Sequence, residues 1–212
     1  MEKNLVTGKN NMKPKNEDKA IRFLFGKYEP LDQIINLNDY ETVELDGGCG
    51  KGSFTSSLAK LHPQRLILAA DVMIGRLRKM QKRNDREHIN NIIPLRVELR
   101  HLLGVLMPDN VLDGFHLLCP DPWPKERHRG NRLLCSNFMG HLHRVLKPGG
   151  LFHFSTDDEY YYNAVCRVTA ASGLFVEDNA RLKELAGIKS DFELLWNGQD
   201  KPVRHLLLAN QK

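Results

Sequence analysis

The sequence is short of several things, and each shortage excludes a class of protein. No apolar run approaches the roughly 18 residues that a membrane-spanning helix needs, so no membrane partner is expected. The N-terminus has no apolar stretch of the signal-peptide kind, and a cytoplasmic location is the expectation. Cysteine is sparse. Cys49, Cys119, Cys135 and Cys166 lie far apart and form no C-x-x-C pair. That spacing excludes a zinc ribbon and a disulfide-stapled secreted fold, so reduced thiols and no metal are expected. There is also no internal repeat and no composition break. A chain of 212 residues without such a break reads as one domain with a sizeable core.

What is present is ordinary for a soluble globular protein: 41% hydrophobic and 27% charged residues. Lys and Arg number 31 against 26 Asp and Glu, a net charge of +5. This excess permits a nucleic-acid partner without requiring one. Residues 1–19 are Lys- and Asn-rich with almost no large apolar side chains, and read as a flexible basic arm. Either a solvated tail or an RNA-contacting arm fits that composition. Residues 20–212 are then the single folded domain, with monomer and homodimer both open.

From Tyr40 onward strand and helix patterns alternate. Thr42–Leu45 reads as a strand, Ser53–Leu61 as a helix, and Arg65–Ala70 as a strand buried on both faces. A basic helix is expected over Ile74–Arg86, then a strand over Ile92–Val97 despite Pro94. A short helix over His101–Leu106 and a strand over Leu112–Leu118 follow. A helix over Arg132–Val145 stops at Lys147-Pro148-Gly149-Gly150 and leads into a strand, Leu151–Ser155. After a helix over Glu159–Ala171, the apolar runs Phe192–Trp196 and Val203–Leu208 read as an antiparallel strand pair. The fold class is therefore α/β, a Rossmann-like, mostly parallel sheet with an antiparallel C-terminal strand pair.

Three segments carry chemistry. Asp46-Gly47-Gly48-Cys49-Gly50-Lys51-Gly52 joins the first strand of this series to its helix. The spacing is G-x-G-x-G rather than the dinucleotide G-x-G-x-x-G, and Gly48 and Gly50 let backbone approach a ligand at the carboxyl ends of the strands. The preceding acid suits the cationic amino-acid end of S-adenosylmethionine. A plain tight turn is the competing reading. Asp71 ends the next strand, 21 residues after Gly50, where an acid accepts from both ribose hydroxyls of a nucleoside cofactor; helix capping is the alternative. The third segment is Pro120-Asp121-Pro122-Trp123-Pro124-Lys125, stiffened by three prolines. Asp121 is a preorganised acceptor there, Trp123 supports the loop or stacks on a base, and Lys125, Arg127, His128, Arg129 and Arg132 form a basic cluster.

Asp-Pro-Trp-Pro-Lys followed by Arg127-His128 resembles the signature of the bacterial tRNA (guanine-N7-)-methyltransferase family. The resemblance extends over most of residues 40–210 through the glycine loop, Asp71, Thr156-Asp157 and Ser190-Asp191-Phe192-Glu193. It implies the S-adenosylmethionine-dependent methyltransferase variety of this fold, with tRNA as partner and a variable-loop guanine as target. It further implies that Asp46, Gly48, Gly50, Asp71, Glu98 and Asp121 contact the cofactor, with Asp121 also at the reaction centre. Lys125, Asp157, Ser190, Asp191, Phe192 and Glu193 would contact the target nucleotide. The chain departs from the family in having Asp at positions 46 and 71 where Glu is usual, and Glu98 where Asp or Asn is usual.

Guanine N7 already carries an in-plane lone pair, so no general base is needed to create the nucleophile. Positioning and a carboxylate facing the charge that develops on the base are what such a reaction asks of the protein. Asp121 is expected in that role, with Asp157 and Glu193 accepting from the N1–H and amine edge that distinguishes guanine from adenine. The Lys125–Arg132 cluster and the helix bearing Arg76, Arg78, Lys79, Lys82 and Arg83 are candidate phosphate contacts; for the helix, a solvated face is the equal alternative. A small-molecule or protein methyltransferase, and a non-catalytic RNA-binding relative, are the other readings. Replacing the basic cluster separates the first; loss of S-adenosylmethionine binding marks the second.

Overall fold

A computed structural model describes residues 18–122, 133–185 and 187–212. Its strands are β1 (Arg22–Phe23), β2 (Val43–Gly47), β3 (Leu66–Asp71), β4 (Ile92–Arg96), β5 (Leu112–Leu118), β6 (Leu146–Thr156), β7 (Phe175–Glu177) and β8 (Arg204–Asn210). Its helices are α1 (Leu31–Ile34), α2 (Ser53–Leu61), α3 (Ile74–Arg86), α4 (Leu99–His101), α5 (Ser136–Val145), α6 (Glu159–Ser172), α7 (Asn179–Leu185) and α8 (Asp191–Asn197). All eight strands form one sheet in the order β1-β4-β3-β2-β5-β6-β8-β7. The pairs from β1 to β6 are parallel; β6–β8 and β7–β8 are antiparallel.

The central strands are apolar because both faces are covered. Every residue of β2 and β3 is buried, and each Leu or Ile so removed from water contributes about 2 kcal/mol. One face packs Phe115, Phe138, Phe152, Phe154 and Tyr161 into the larger core. The other packs Phe54, Leu58, Leu77 and Met80, from α2 and α3, over Ile67 and Ala69. β3 and β4 follow β2 on one side and β5 and β6 lie on the other. The chain therefore reverses direction of travel at β2–β5, and a crevice opens above the carboxyl ends of those strands.

Several expectations needed correction. Phe192–Trp196 is not a strand but lies in helix α8, and the partner of β8 at the sheet edge is β7. The reason is visible at the helix start: the Ser190 side chain accepts from the Glu193 backbone N–H at 3.2 Å, an N-cap that commits the chain to a helical turn. The helix before β6 begins at Ser136 rather than Arg132. The short helix expected at His101 starts at Leu99, where Glu98 caps it, and passes into a π-helical turn, Leu102–Leu106. Lys147–Gly150 does end α5, yet it lies inside β6: pairing jumps from Leu112↔Leu146 to Gly114↔Leu151, and Gly149 takes φ 70° to make the bulge. The edge strand β1 carried no sequence signal of its own.

Asp18 is buried and forms a two-bond pair with Arg78 of α3, both contacts at 2.7 Å. Residues 1–17 of the expected arm lie outside the described residues. No helix among the described residues is long and apolar enough to cross a membrane.

Candidate functional site

The glycine loop is built by its backbone. Gly48, Gly50 and Gly52 all have positive φ, at 73°, 60° and 79°. At Gly52 a Cβ would lie 2.4 Å from the Met80 side chain, so the loop packs directly onto α3. The Gly48 and Cys49 N–H groups both donate to the Ala70 carbonyl, at 2.8 and 3.0 Å. Those bonds tie the loop to the end of β3.

Two carboxylates flank this loop. Asp46, 3% exposed, accepts from the Thr55 hydroxyl at 2.5 Å. Burial pushes its carboxyl up to about 6, helped by the nearby Asp71 and Asp191 and opposed by the Thr55 hydrogen bond and His116. A carboxylate so poorly compensated is one that a cation would favour. Asp71 accepts from Gly50 N–H at 3.1 Å and Met73 N–H at 2.7 Å, and Arg76 approaches it at 3.5 Å. Asp71 therefore shapes the turn into α3 as well as facing the crevice.

The crevice consists of two adjoining cavities that share Gly48, Arg76, Leu118 and Phe192. The larger, about 790 Å³, is lined by Gly48, Asp71, Glu98, Asp121, Asp157 and Phe192 among others. The smaller, about 240 Å³, is lined by Asp46, Gly48, Gly50, Ser190, Asp191 and Phe192 among others. Together they suit a ligand of nucleoside size. Cys119 precedes the proline segment at φ 48°, uncommon for a residue other than glycine, and its N–H donates to the Ser155 carbonyl at 2.8 Å. That sharp turn carries Pro120 and Asp121 over the crevice rather than onward along β5. Asp121 itself is exposed.

The opposite wall is α8 with the loop after it. The Asp191 carboxylate accepts from the Ser53 hydroxyl at 2.5 Å, and Arg83 donates to the same hydroxyl at 3.3 Å. Lys201 pairs with Asp157 and lies over the Trp196 ring, 4.5 Å from its centroid. Glu193 is the buried residue of α8, its Oε1 is 3.3 Å from His205 Nε2, and its Oε2 has no hydrogen-bond partner among the described residues.

Of the residues singled out in the sequence, Asp46, Gly48, Gly50, Asp71, Glu98, Asp121, Asp157, Ser190, Asp191 and Phe192 thus line one crevice. Glu193 lines neither cavity. Lys125, Trp123 and the rest of the Lys125–Arg132 cluster fall in 123–132, outside the described residues. Sequence reasoning missed Thr55, Ser53, Trp196 and Lys201, and named Arg76 as a candidate phosphate contact rather than as part of the crevice. A hydroxyl inside the helix after the glycine loop was a usable signal for Thr55; Trp196 and Lys201 carried none, since only tertiary packing brings them here. On the basic helix α3, Arg76, Arg78 and Arg83 reach protein partners, while Lys79 and Lys82 are exposed. Glu98 spends one oxygen on the α4 cap, 3.0 Å from the His101 N–H. Among the described residues no His, Cys, Asp and Glu cluster could hold a metal ion, and the four cysteines are free thiols.

A doubly wound sheet with a glycine loop and two strand-end acids at its switch point defines the class: a Rossmann-like methyltransferase fold. Residues 40–206 match the family described as "Putative methyltransferase", and the chain belongs to that family. The chain is 30% identical over 172 residues to a Thermotoga maritima protein named tRNA (guanine-N(7)-)-methyltransferase, covering 81% of this chain and 55% of that one. A protein of the same name from Rubrobacter xylanophilus is 26% identical over 92% of this chain and 94% of its own. The chain spans between 55% and 64% of the length of the Thermotoga relative and three further proteins of that name. Among solved structures, the 16S rRNA methyltransferase KamB matches with a TM-score of 0.60 at 18% identity, over 84% of this chain and 92% of that chain. The 16S rRNA (adenine(1408)-N(1))-methyltransferase from Catenulisporales acidiphilia, solved with S-adenosylmethionine, matches at 0.53 and 17%, over 83% and 88%. At those identities the likeness is one of fold.

Proposed function

We propose that this protein transfers a methyl group from S-adenosylmethionine to N7 of a guanine in tRNA, the variable-loop guanine being the expected target, and that residues 20–212 act in the cytoplasm as one methyltransferase domain. The observation that carries this reading is Asp46. It is a buried carboxylate beside the glycine loop, raised to about 6, and its one hydrogen-bond partner among the described residues is the Thr55 hydroxyl. Such a group fits the ammonium of an amino-acid moiety, and the names of the relatives supply the guanine and the tRNA.

S-adenosylmethionine supplies an activated methyl on a sulfonium. Asp46 holds the ammonium, and the backbone at Gly48 and Gly50 lets the ligand approach closely. Asp71 accepts from the ribose hydroxyls, and Glu98 offers its remaining lone pairs to the adenine. Asp121 holds the guanine and faces the positive charge the base acquires. It stabilises that charge more than the neutral ground state. Asp157 and Glu193 accept from the guanine N1–H and N2 amine, with Ser190, Asp191 and Phe192 shaping the wall around the base. Lys125 and the basic residues after it hold tRNA phosphates. Because N7 is shielded in an A-form helix, the base must be presented from a loop or splayed out.

The test is tritiated-methyl transfer from S-adenosylmethionine to unmodified tRNA, followed by nucleoside analysis. The expected product is 7-methylguanosine. Absence of label, or label in another nucleoside, overturns the reading.

A further inference from the structure

The far wall of the crevice carries a cation that the chemistry described above does not use. Lys201 lines the larger cavity together with Asp121, Asp157, Phe192 and Trp196. Its place is set by a turn wound back on the end of α8. The Gln199 N–H donates to the Trp196 carbonyl at 2.9 Å, the Asp200 N–H to the Asn197 carbonyl at 3.3 Å, and the Lys201 N–H to the Trp196 carbonyl at 3.0 Å. Asp200 takes φ 54°, the left-handed conformation that reverses the chain there. Pro202 then disfavours helical backbone at Lys201, and the chain runs on into β8. The register Thr156↔Arg204 brings the start of β8 beside the end of β6, where Asp157 follows.

Two side chains hold the ammonium. It donates to Asp157 Oδ2, and it lies over the Trp196 ring, 4.5 Å from the centroid. The pair is partly open to solvent and contributes little to the stability of the fold. What it supplies is a donor and an acceptor side by side, ordered before a ligand arrives. An ammonium has three N–H groups, of which Asp157 takes one. With Oδ2 engaged, Oδ1 is the Asp157 oxygen left to a ligand. Guanine matches such a pair, because its O6 acceptor adjoins the N1–H donor. Adenine reverses both groups, setting an amine against the ammonium and a lone pair against the carboxylate, a mismatch of the kind that makes hydrogen-bonding sites selective. O6 also adjoins N7, so a donor to O6 fixes the reacting atom as well as the identity of the base. A lone ammonium there would oppose the positive charge that the base acquires. Paired with Asp157, Lys201 brings little net charge. The other cations that line the crevice, Lys51 and Arg76, belong to the opposite wall, at the glycine loop and beside Asp71.

We propose that Lys201 is a specificity-determining residue that donates to O6 of the target guanine, while the Asp157 carboxylate beside it accepts from N1–H. Guanine as the base rests on the proposed function. Phe192, one turn before Trp196 on α8 and about half exposed, is the ring left to stack on the base, since the Lys201 ammonium occupies a face of Trp196.

The test compares two tRNA substrates on the whole protein. One carries guanosine and the other 6-thioguanosine at the position that the wild-type chain methylates. The sulfur weakens the acceptor at position 6 and keeps N1–H, the N2 amine and N7. Methyl transfer from S-adenosylmethionine is measured as kcat/KM for the wild type and for Lys201→Met, which keeps the apolar stem beside Trp196 and removes the ammonium. The wild type is expected to prefer guanosine, and that preference is expected to shrink by about tenfold in Lys201→Met, as loss of a hydrogen bond from a charged donor does. Any effect of sulfur on the reactivity of N7 is common to both proteins and cancels in that ratio. If Lys201→Met slows both substrates equally, Lys201 holds a phosphate or merely orders Asp157, and the O6 contact is overturned. Formation of 7-methylguanosine by the wild type would then leave the proposed function standing. A wild-type chain that forms no 7-methylguanosine overturns both. If Lys201→Met does not fold, Lys201→Ala serves, with the same ratio as its readout.

Discussion

The two walls of the crevice are made in different ways. The wall from Asp46 to Asp71 is local. Two neighbouring parallel strands in register, Asp46↔Ala69 and Gly47↔Ala70, bring its acids side by side, and backbone hydrogen bonds and left-handed glycines do the rest. The wall from Ser190 to Lys201 is remote. Asp191 meets Ser53 from 138 residues away, Lys201 meets Asp157 from 44, and Glu193 meets His205 from the next strand. The first wall is as rigid as the sheet. The second hangs on a few side-chain contacts, and its outward residues Phe192, Leu194 and Leu195 are about half exposed. A large substrate is better accommodated by the second kind of wall, and a small cofactor is better gripped by the first.

That contrast can be broken at several points. The largest expected effect is at Asp121, which lies over the crevice between the walls. Asp121→Ala should lower the rate of tRNA methylation by about 10²–10³-fold, as loss of one charge-stabilising group at a reaction centre does, measured as single-turnover methyl transfer. A variant with the wild-type rate removes Asp121 from the reaction centre. Next is the rigid wall. Gly52→Ala places a Cβ 2.4 Å from Met80 at φ 79° and should destabilise the fold by about 2–3 kcal/mol. Thermal unfolding measures this, and Gly52→Ala with Met80→Ala should recover only the steric part.

Asp46 gives the pH test of the same wall. Its folded carboxyl is raised to about 6, so the folded state holds that proton more tightly than the unfolded chain does. Without ligand this group's contribution to stability declines as pH rises from the ordinary Asp range through about 6. A cationic ligand needs the ionised form, so S-adenosylmethionine affinity should rise as pH passes upward through about 6. Asp46→Asn should flatten that profile in calorimetry and weaken binding at pH 7 by about tenfold. The smallest effect is expected on the remote wall. Asp191→Ala cuts the tie to Ser53 and should raise KM for tRNA by about two- to fivefold, with the melting temperature nearly unchanged. A loss of stability as large as that of Gly52→Ala would show the remote wall to be as structural as the local one.

Legibility in the sequence follows the same division. Helix α3 runs over Ile74–Arg86 as its periodicity predicts, and Asp71 ends its strand as expected. Apolar continuity and helical period are short-range signals. Phe192–Trp196 misled because an apolar run of five does not distinguish strand from helix. The Ser190–Glu193 spacing held the deciding cap, and the segment buries its acid rather than its apolar side chains. Lys147–Gly150 misled in the opposite sense, since a bulge and a turn use the same glycine conformation.

The sequence by itself determined the parallel strand series, the glycine loop and the acids that flank it, because each depends on short-range patterns and on backbone conformations that only certain side chains permit. Only the tertiary structure decided that α8 forms the far wall, that Thr55 and Lys201 belong to the site, and that His116, His153 and His205 touch. Those three histidines lie on three separate strands, and their alignment depends on the register of parallel and antiparallel neighbours, which no local pattern encodes.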